Sequence, residues 1–160
     1  MTLLIKHWNF TFIRELKRML IMQYVELKNK TVFVTGAAGF IGSNLVKRLL
    51  ADIDDVKVVG VDNMNDYYDV RLKETRLQEL SKNSNFVFIK GDLADKSLIT
   101  AIFEKYRPAV VVNLGAQAGV RYSITNPDAY IESNLVGFYN ILEACRHSYD
   151  NDEKGEIGRA

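Results

Sequence analysis

Three glycines stand at intervals of three in residues 31 to 46, TVFVTGAAGFIGSNLV, at positions Gly36, Gly39 and Gly42. They follow a β-branched apolar run and precede helix-forming residues, which indicates a strand-to-helix turn. Glycine permits a tight turn at Gly36, close approach of a phosphate near Gly39, and close helix-to-strand packing at Gly42. The unpaired N–H groups and positive dipole end of the helix favour a bound pyrophosphate. A P-loop is excluded, because no Gly-Lys-Ser or Gly-Lys-Thr closes the turn.

An aspartate ends the second apolar run of the chain. Asp62 stands twenty residues after Gly42, directly after VKVVGV. At this place in a strand-turn-helix-strand unit, an acidic residue accepts hydrogen bonds from an adenosine ribose. Alone it would be an ordinary turn residue, but together with the glycine turn it predicts dinucleotide binding. The carboxylate favours NAD over NADP, because it would repel a 2′-phosphate.

Short β-rich runs alternate with longer helical patterns from Thr31 onward. The runs predicted as strands are Thr31 to Thr35, Val56 to Val61, Phe86 to Ile89 and Ala109 to Leu114. Because VKVVGV is almost entirely apolar, it is predicted to be covered on both faces, as in a parallel sheet. Four successive βα units predict an α/β fold with a doubly wound parallel sheet, the Rossmann arrangement, in the strand order 3-2-1-4.

Apolar residues at helical spacing predict which helix faces are buried. The first helix is predicted to bury Ile41, Leu45 and Leu49, the second Val70, Leu77 and Leu80. Asp95 is a suitable N-cap for the third helix. A long last helix from about Asp128 to Arg146 is predicted to bury Ile131, Leu135, Phe138, Leu142 and Cys145. We expect an N-terminal extension at residues 1–30, a partial Rossmann domain at 31–147 and an irregular tail at 148–160.

Composition limits the classes of partner. The chain has 160 residues, 48% of them hydrophobic, and a formal charge of +1, so it carries no bulk field that would gather nucleic acid. Its one cysteine, Cys145, excludes an internal disulfide framework and a cysteine zinc site, so no metal is expected and a reducing, cytoplasmic location fits best. Charged residues interrupt the apolar runs of residues 1–30, so membrane insertion is not expected; the alternatives are a loosely packed extension and a membrane-surface helix.

The segment TGAAGFIG resembles the Thr-Gly-x-x-Gly-Phe-Ile-Gly signature of the extended short-chain dehydrogenase/reductase family, which contains nucleotide-sugar epimerases and dehydratases. The segments VDNMNDYYDVRLKETRL, GDLAD and AQAGVRYSITNPDAYIESNLVGFYNILEACR are similar to those of UDP-glucuronate 4-epimerases. The resemblance covers about residues 26 to 150. It implies bound NAD, a UDP-sugar substrate, and epimerisation through transient oxidation at the sugar C4.

The resemblance also implies a set of cofactor-binding residues. Those for the pyrophosphate are Gly36, Gly39, Phe40, Ile41 and Gly42; those for the adenosine are Asp62, Asn63, Asp92 and Leu93; those for the nicotinamide side are Leu114, Gly115, Ala116 and Gln117. Asn134 is either a nicotinamide-side contact or a core amide that ties the helix to a strand. Arg121 and Tyr122 either meet the sugar nucleotide or belong to a solvated loop.

The chain departs from the family pattern at two places. It has NLGA, residues 113 to 116, where the family commonly has His-Leu-Ala-Ala. The family's Tyr-x-x-x-Lys pair, which moves the proton, is absent after the fourth strand, and the match Tyr24 to Lys28 precedes the first strand. No catalytic residue is therefore assigned.

These departures lead to an expectation about activity. We expect a chain truncated before strand five and inactive alone; the alternative is a non-catalytic dinucleotide-binding module or a defective product. We also expect a homodimer, or aggregation, through the last helix and the edge of strand four.

Overall fold

The computed structural model describes residues 25–151, and the predicted features of residues 1–24 and 152–160, including Tyr24, lie outside that range. Strands and helices alternate. The strands are β1 (Thr31–Thr35), β2 (Lys57–Asp62), β3 (Phe86–Lys90) and β4 (Val110–Asn113). The helices are α1 (Phe40–Asp52), α2 (Val70–Leu80), α3 (Lys96–Tyr106), α4 (Tyr122–Thr125), α5 (Asp128–Tyr130), a π-helical segment (Ile131–Val136) and α6 (Gly137–Asn151).

The strands form one parallel sheet in the order β3-β2-β1-β4, which confirms the predicted fold class and strand order. Each strand is followed by a helix that returns along a face of the sheet, so the carboxyl ends of all four strands lie at one edge. β1 and β2 are the two inner strands of the sheet. The apolar residues Val58, Val59 and Val61 of β2 are buried, as predicted. Ligands of such sheets bind outside this carboxyl edge.

Alternate residues of β1 enter two separate cores. Val32 and Val34 join Val46 of α1 and Leu80 of α2 on one face. Phe33 packs on the other face, where its ring meets Phe103 of α3 edge-on, with the ring centroids 5.7 Å apart. The period of two along the strand therefore divides its side chains between both helix layers.

The last helical segment differs from the prediction. Ile131, Leu135, Phe138 and Leu142, predicted to be buried, are 52%, 60%, 45% and 51% exposed. Gly137, Asn140 and Ile141 of α6 are buried instead, and Cys145, the fifth residue predicted to be buried, is partly buried against the core that contains Phe33. The π-helical segment has more residues per turn than an α-helix, so the α-helical spacing used for the prediction does not hold between Ile131 and Val136.

Two smaller expectations also fail. α6 continues to Asn151, so residues 148–151 are helical and not part of an irregular tail. Ile41 is exposed, because the buried face of α1 is formed by Gly42, Ser43, Val46 and Leu49. Within residues 25–151, no helix combines the length and apolar character that a membrane span needs.

Candidate dinucleotide-binding site

The glycine turn brings α1 close to the end of β1. Gly36 has a φ of +65°, a conformation that favours glycine, and the Gly39 N–H donates to the Gly36 carbonyl over 3.0 Å. A Cβ on Gly42 would lie 2.2 Å from the same carbonyl oxygen, so only glycine allows the helix this approach. The turn has the geometry that the spacing of the three glycines predicts.

The first turn of α1 has no side-chain cap. Gly39 occupies the N-cap position, and no acidic residue stands in the first turn. The first helical hydrogen bond runs from the Ser43 N–H to the Gly39 carbonyl over 3.0 Å, so the N–H groups of residues 40–42 precede the helical ladder. The side chains of Phe40 and Ile41 are 71% and 68% exposed, so any contact with a phosphate would come from their backbone.

A cavity of about 220 Å³ opens at the carboxyl edge of the sheet. It gathers ten residues that the sequence predicts for the cofactor: Gly36, Gly39, Asp62, Asn63, Asp92, Leu93, Leu114, Gly115, Ala116 and Gln117. Its walls do not include six others that were predicted: Phe40, Ile41, Gly42, Asn134, Arg121 and Tyr122. Pockets that enclose a drug-sized ligand measure about 300–1,000 Å³, so this cavity encloses only part of a dinucleotide.

The loops after β2 and β3 meet at one corner of this cavity. Asp62 is buried, and its Oδ1 accepts the Met64 N–H over 2.9 Å. The Asn63 Nδ2 donates to Asp92 Oδ2 over 3.1 Å, which joins the two loops, and Asp92 Oδ1 accepts the Ala94 N–H over 2.9 Å. The residues predicted for the ribose and for the adenine are therefore neighbours.

A buried ion pair stands at the same corner. Lys73 Nζ donates to Asp62 Oδ1 over 3.2 Å and to Asn65 Oδ1 over 2.9 Å. Neither Lys73 nor Asn65 was predicted for the site. The sequence does contain a signal for Lys73. It lies between Val70 and Leu77 on the stripe of α2 that faces inward, and a buried lysine needs a polar or acidic partner.

Thr35, at the end of β1, holds the loop that follows β4. Its buried Oγ1 accepts the N–H groups of Leu114 over 3.0 Å and Gly115 over 2.8 Å, and donates to Asn113 Oδ1 over 2.5 Å. A Cβ on Gly115 would lie 2.7 Å from Leu93 Cδ1, so glycine lets the loops after β3 and β4 touch. Asn113 and Gly115 are two residues at which this chain departs from the family pattern, and each has a defined contact.

Asn134 ties the π-helical segment to the loop after β4. Its Oδ1 accepts the Gln117 N–H over 2.8 Å, and its Nδ2 donates to the Gln117 carbonyl over 3.0 Å. Both ends of the amide are thus bonded to the backbone of a cavity-lining residue. This geometry matches the predicted alternative of a structural amide, except that Asn134 ties the helix to a loop and not to a strand. The Asn65 Nδ2 donates to Gln117 Oε1 over 3.4 Å and links this loop to the one after β2.

An aromatic cluster lies beside the cavity, at its β4 end. Tyr122 packs between Tyr67 and Tyr130, with ring centroids 5.2 and 6.3 Å away. The Tyr130 hydroxyl shares its one proton between the carbonyls of Ala118 and Gly119. Partial burial raises the pKa of Tyr130, with a smaller contribution from Tyr67. Tyr122 therefore packs in this cluster, whereas Arg121 is exposed to solvent.

A larger cavity of about 570 Å³ lies between α3 and α6. Lys96, Glu104, Arg107 and Glu143 mix both signs of charge along its walls, and it contains neither the glycine turn nor Asp62. Size alone does not make it the functional site, because the groups suited to a nucleotide meet at the smaller cavity. Among residues 25–151, no three His, Cys, Asp or Glu side chains are grouped to hold a metal ion.

The sequence model of the GDP-mannose 4,6 dehydratase family matches residues 33–156, which include every residue that lines the smaller cavity. The chain belongs to this family. The predicted relationship to NAD-dependent epimerases and dehydratases is thereby confirmed.

Individual relatives carry more specific names. Protein CapI of Staphylococcus aureus is 53% identical over 116 residues, which cover 72% of this chain and 34% of CapI. UDP-glucuronate 4-epimerase 2 of Arabidopsis thaliana is 46% identical over 116 residues, 72% of this chain and 26% of that protein. The crystal structure of UDP-glucuronic acid 4-epimerase from Bacillus cereus in complex with UDP-glucuronic acid and NAD has a TM-score of 0.67 and 36% identity, over 73% of this chain and 36% of that one. The chain spans about a third, or less, of the length of these relatives.

Proposed function

We propose that this chain binds NAD at the carboxyl edge of its sheet and forms the N-terminal, cofactor-binding portion of a nucleotide-sugar 4-epimerase that acts on UDP-glucuronate. One observation carries the proposal. The glycine turn, with Gly39 at the uncapped N-terminus of α1, and the Asp62 carboxylate line a single cavity with the Asn63–Asp92 pair. The epimerase names of the relatives support the substrate class.

Each part of the cavity suits a different part of NAD. The N–H groups at the start of α1 suit the pyrophosphate, because its oxygens would accept the hydrogen bonds for which no side chain provides an acceptor. Asp62 suits the hydroxyls of the adenosine ribose, and the loop at Asp92 and Leu93 suits the adenine. Gln117, held through its backbone by Asn134, lies on the side proposed for the nicotinamide. When bound, NAD supplies the hydride acceptor and donor for oxidation and reduction at the sugar C4.

NAD binding is tested by calorimetry on the purified chain, with NAD and NADP as ligands. We expect NAD to bind more tightly than NADP, and Asp62→Ala to weaken NAD binding by about 1–3 kcal/mol, because hydrogen bonds to a charged group are lost. Asp54→Ala, at an exposed residue far from the cavity, is the matched control. Tighter binding of NADP than of NAD by the unmodified chain would overturn the assignment.

Turnover is tested separately, because residues 114–160, which follow β4, contain no Tyr-x-x-x-Lys pair. Loss of proton transfer alone lowers a rate by about 10²- to 10⁴-fold, so we expect no epimerisation by these 160 residues without added protein. The chain is incubated with NAD and UDP-glucuronate, and the C4 epimers are separated. Formation of UDP-galacturonate in a preparation free of host epimerase would contradict this expectation. It would also contradict the alternative that the chain is a non-catalytic binding module.

We also propose that the chain acts in the cytoplasm and self-associates through its last helical segment. The exposed apolar residues there are Ile131, Leu135, Phe138 and Leu142, and β4 pairs on one side only within the described sheet. Phe138→Glu should reduce association in sedimentation velocity. Leu72→Glu, which changes an exposed apolar side chain of α2 instead, should not. A single monomer boundary from micromolar to millimolar concentration would refute the interface.

A further inference from the structure

A buried lysine stands beside the carboxylate proposed for the ribose. The side chains of Lys73 and Asp62 are 4% and 7% exposed, and Lys73 Nζ lies 3.2 Å from Asp62 Oδ1. Nζ also donates to Asn65 Oδ1 over 2.9 Å and lies 5.0 Å from the ring centroid of Tyr68. Burying an ammonium is unfavourable unless it is paired, so Asp62 compensates the charge of Lys73 as much as Lys73 compensates the charge of Asp62.

The pair leaves one oxygen of the carboxylate open. Asp62 Oδ1 takes both the Met64 N–H and the Lys73 ammonium, while Oδ2 accepts no hydrogen bond from any residue in the range 25–151. Both Asp62 and Lys73 line the cavity. The bonds to Oδ1 fix the rotation of the carboxylate, so Oδ2 is the acceptor left for a ribose hydroxyl.

We infer that Asp62 and Lys73 together determine the choice between NAD and NADP, and that Lys73 is a latent 2′-phosphate-binding residue which Asp62 masks. The inference rests on the proposed NAD binding at this cavity. With Asp62 in place, the ammonium is already engaged and the carboxylate opposes a second negative charge. With a small neutral residue at position 62, the ammonium keeps its bond to Asn65 and directs a freed donor into the cavity, where a phosphate oxygen can accept it.

Calorimetry of NAD and NADP binding to the full chain tests the inference. Asp62→Ser should lose affinity for NAD and gain affinity for NADP, so that the ratio of the two affinities shifts by on the order of tenfold or more. Adding Lys73→Met to Asp62→Ser should abolish the gain for NADP, and adding Lys73→Arg instead should keep it. Lys47→Met is the matched control, because Lys47 pairs with Glu79 on the surface, away from the cavity.

The outcomes separate the two proposals. Equal NADP affinity in Asp62→Ser with and without Lys73→Met, in folded proteins, overturns the inference and leaves NAD binding intact. No binding of NAD by the unmodified chain overturns the proposed function and this inference with it. If the Asp62→Ser, Lys73→Met variant has no cooperative thermal transition, Lys73→Gln, which retains an N–H donor for Asn65, replaces Lys73→Met in the same comparison.

Discussion

Helix α1 begins differently from α2 and α3, although all three follow strands of the same sheet. Asp69 caps α2 by accepting the Arg71 N–H over 3.0 Å, and Asp95 caps α3 by accepting the Leu98 N–H over 3.0 Å. At the start of α1 stands Gly39, which has no side chain to do this. As an N-cap, aspartate is better than glycine by only a few tenths of a kcal/mol, and its charge gains about 0.3–1 kcal/mol from the helix dipole, so α1 lacks a modest contribution that α2 and α3 receive.

The difference separates helices that serve the fold from the helix that serves the ligand. An aspartate side chain accepts one N–H group in the first turn of α2 and one in the first turn of α3, whereas no side chain caps α1, which begins directly after the cavity-lining Gly39. A bound pyrophosphate would provide for α1 what an aspartate provides for its neighbours. Four changes test whether the three helix starts differ in this way.

The largest effect is expected from Gly42→Val. Its Cβ would lie 2.2 Å from the Gly36 carbonyl oxygen, so the turn and α1 could not both keep their positions. We expect a loss of about 3 kcal/mol or more in the free energy of unfolding, measured with urea. Gly39→Ala is the control, because a Cβ there meets only the Gly36 carbonyl oxygen, at 3.1 Å. An unchanged urea midpoint for Gly42→Val would mean that the close approach is not needed.

Gly39→Asp would make α1 begin as its neighbours do. Gly39 has a φ of −68°, which any residue adopts, so the carboxylate can cap the helix. We expect the ligand-free chain to gain about 0.5–1 kcal/mol, and NAD binding to weaken by on the order of tenfold, since the new carboxylate competes with the pyrophosphate. Gly39→Ala separates the added charge from the added carbon. Undiminished NAD binding by Gly39→Asp would argue against a pyrophosphate at this helix start.

Asp95→Ala removes a cap that lies outside the cavity wall. We expect about 1 kcal/mol less stability, because the Leu98 N–H loses its acceptor, with no change in NAD affinity. Asp95→Asn, which keeps a cap, is the control. Chemical denaturation and calorimetry on the same samples check both expectations. If Asp95→Ala lost as much NAD affinity as Gly39→Asp, the start of α3 would matter for NAD binding as much as the start of α1.

The smallest effect concerns pH. Arg71 holds the pKa of Asp69 below its usual range, first through its guanidinium and then through its backbone N–H. A carboxyl with a lowered folded-state pKa contributes stability above its unfolded-state pKa and loses that contribution as the pH falls through the folded-state value. The start of α2 should therefore weaken below about pH 4, whereas the start of α1 has no side-chain cap to titrate.

Thermal unfolding of the chain and of Asp69→Asn between neutral pH and pH 3 measures this term. The amide caps the helix without titrating, so the variant should lose less stability on acidification. Parallel curves for the two proteins would show that the Asp69 cap contributes nothing that depends on protonation.

The sequence alone determined the strands, their order and the glycine turn. These features depend on neighbours along the chain: β-branched runs form strands, three glycines permit the turn, and right-handed connections arrange consecutive βα units in one order. The same local logic predicted Asp62 at the end of β2, where the structure has it on the cavity wall.

Only the tertiary structure decided which side chains are partners. The place of Lys73 between Val70 and Leu77 indicates an inward-facing lysine, but only the tertiary structure shows that its partner is Asp62. Asn134 reads equally as a ligand contact or a core amide until the π-helical segment places it against the Gln117 backbone. Apolar periodicity likewise predicted that Phe138 and Leu142 of α6 are buried, and both are exposed, because the spacing shows that a helix has an apolar stripe but not which neighbour covers it. Contacts between residues far apart in the chain depend on packing geometry, which local pattern does not encode.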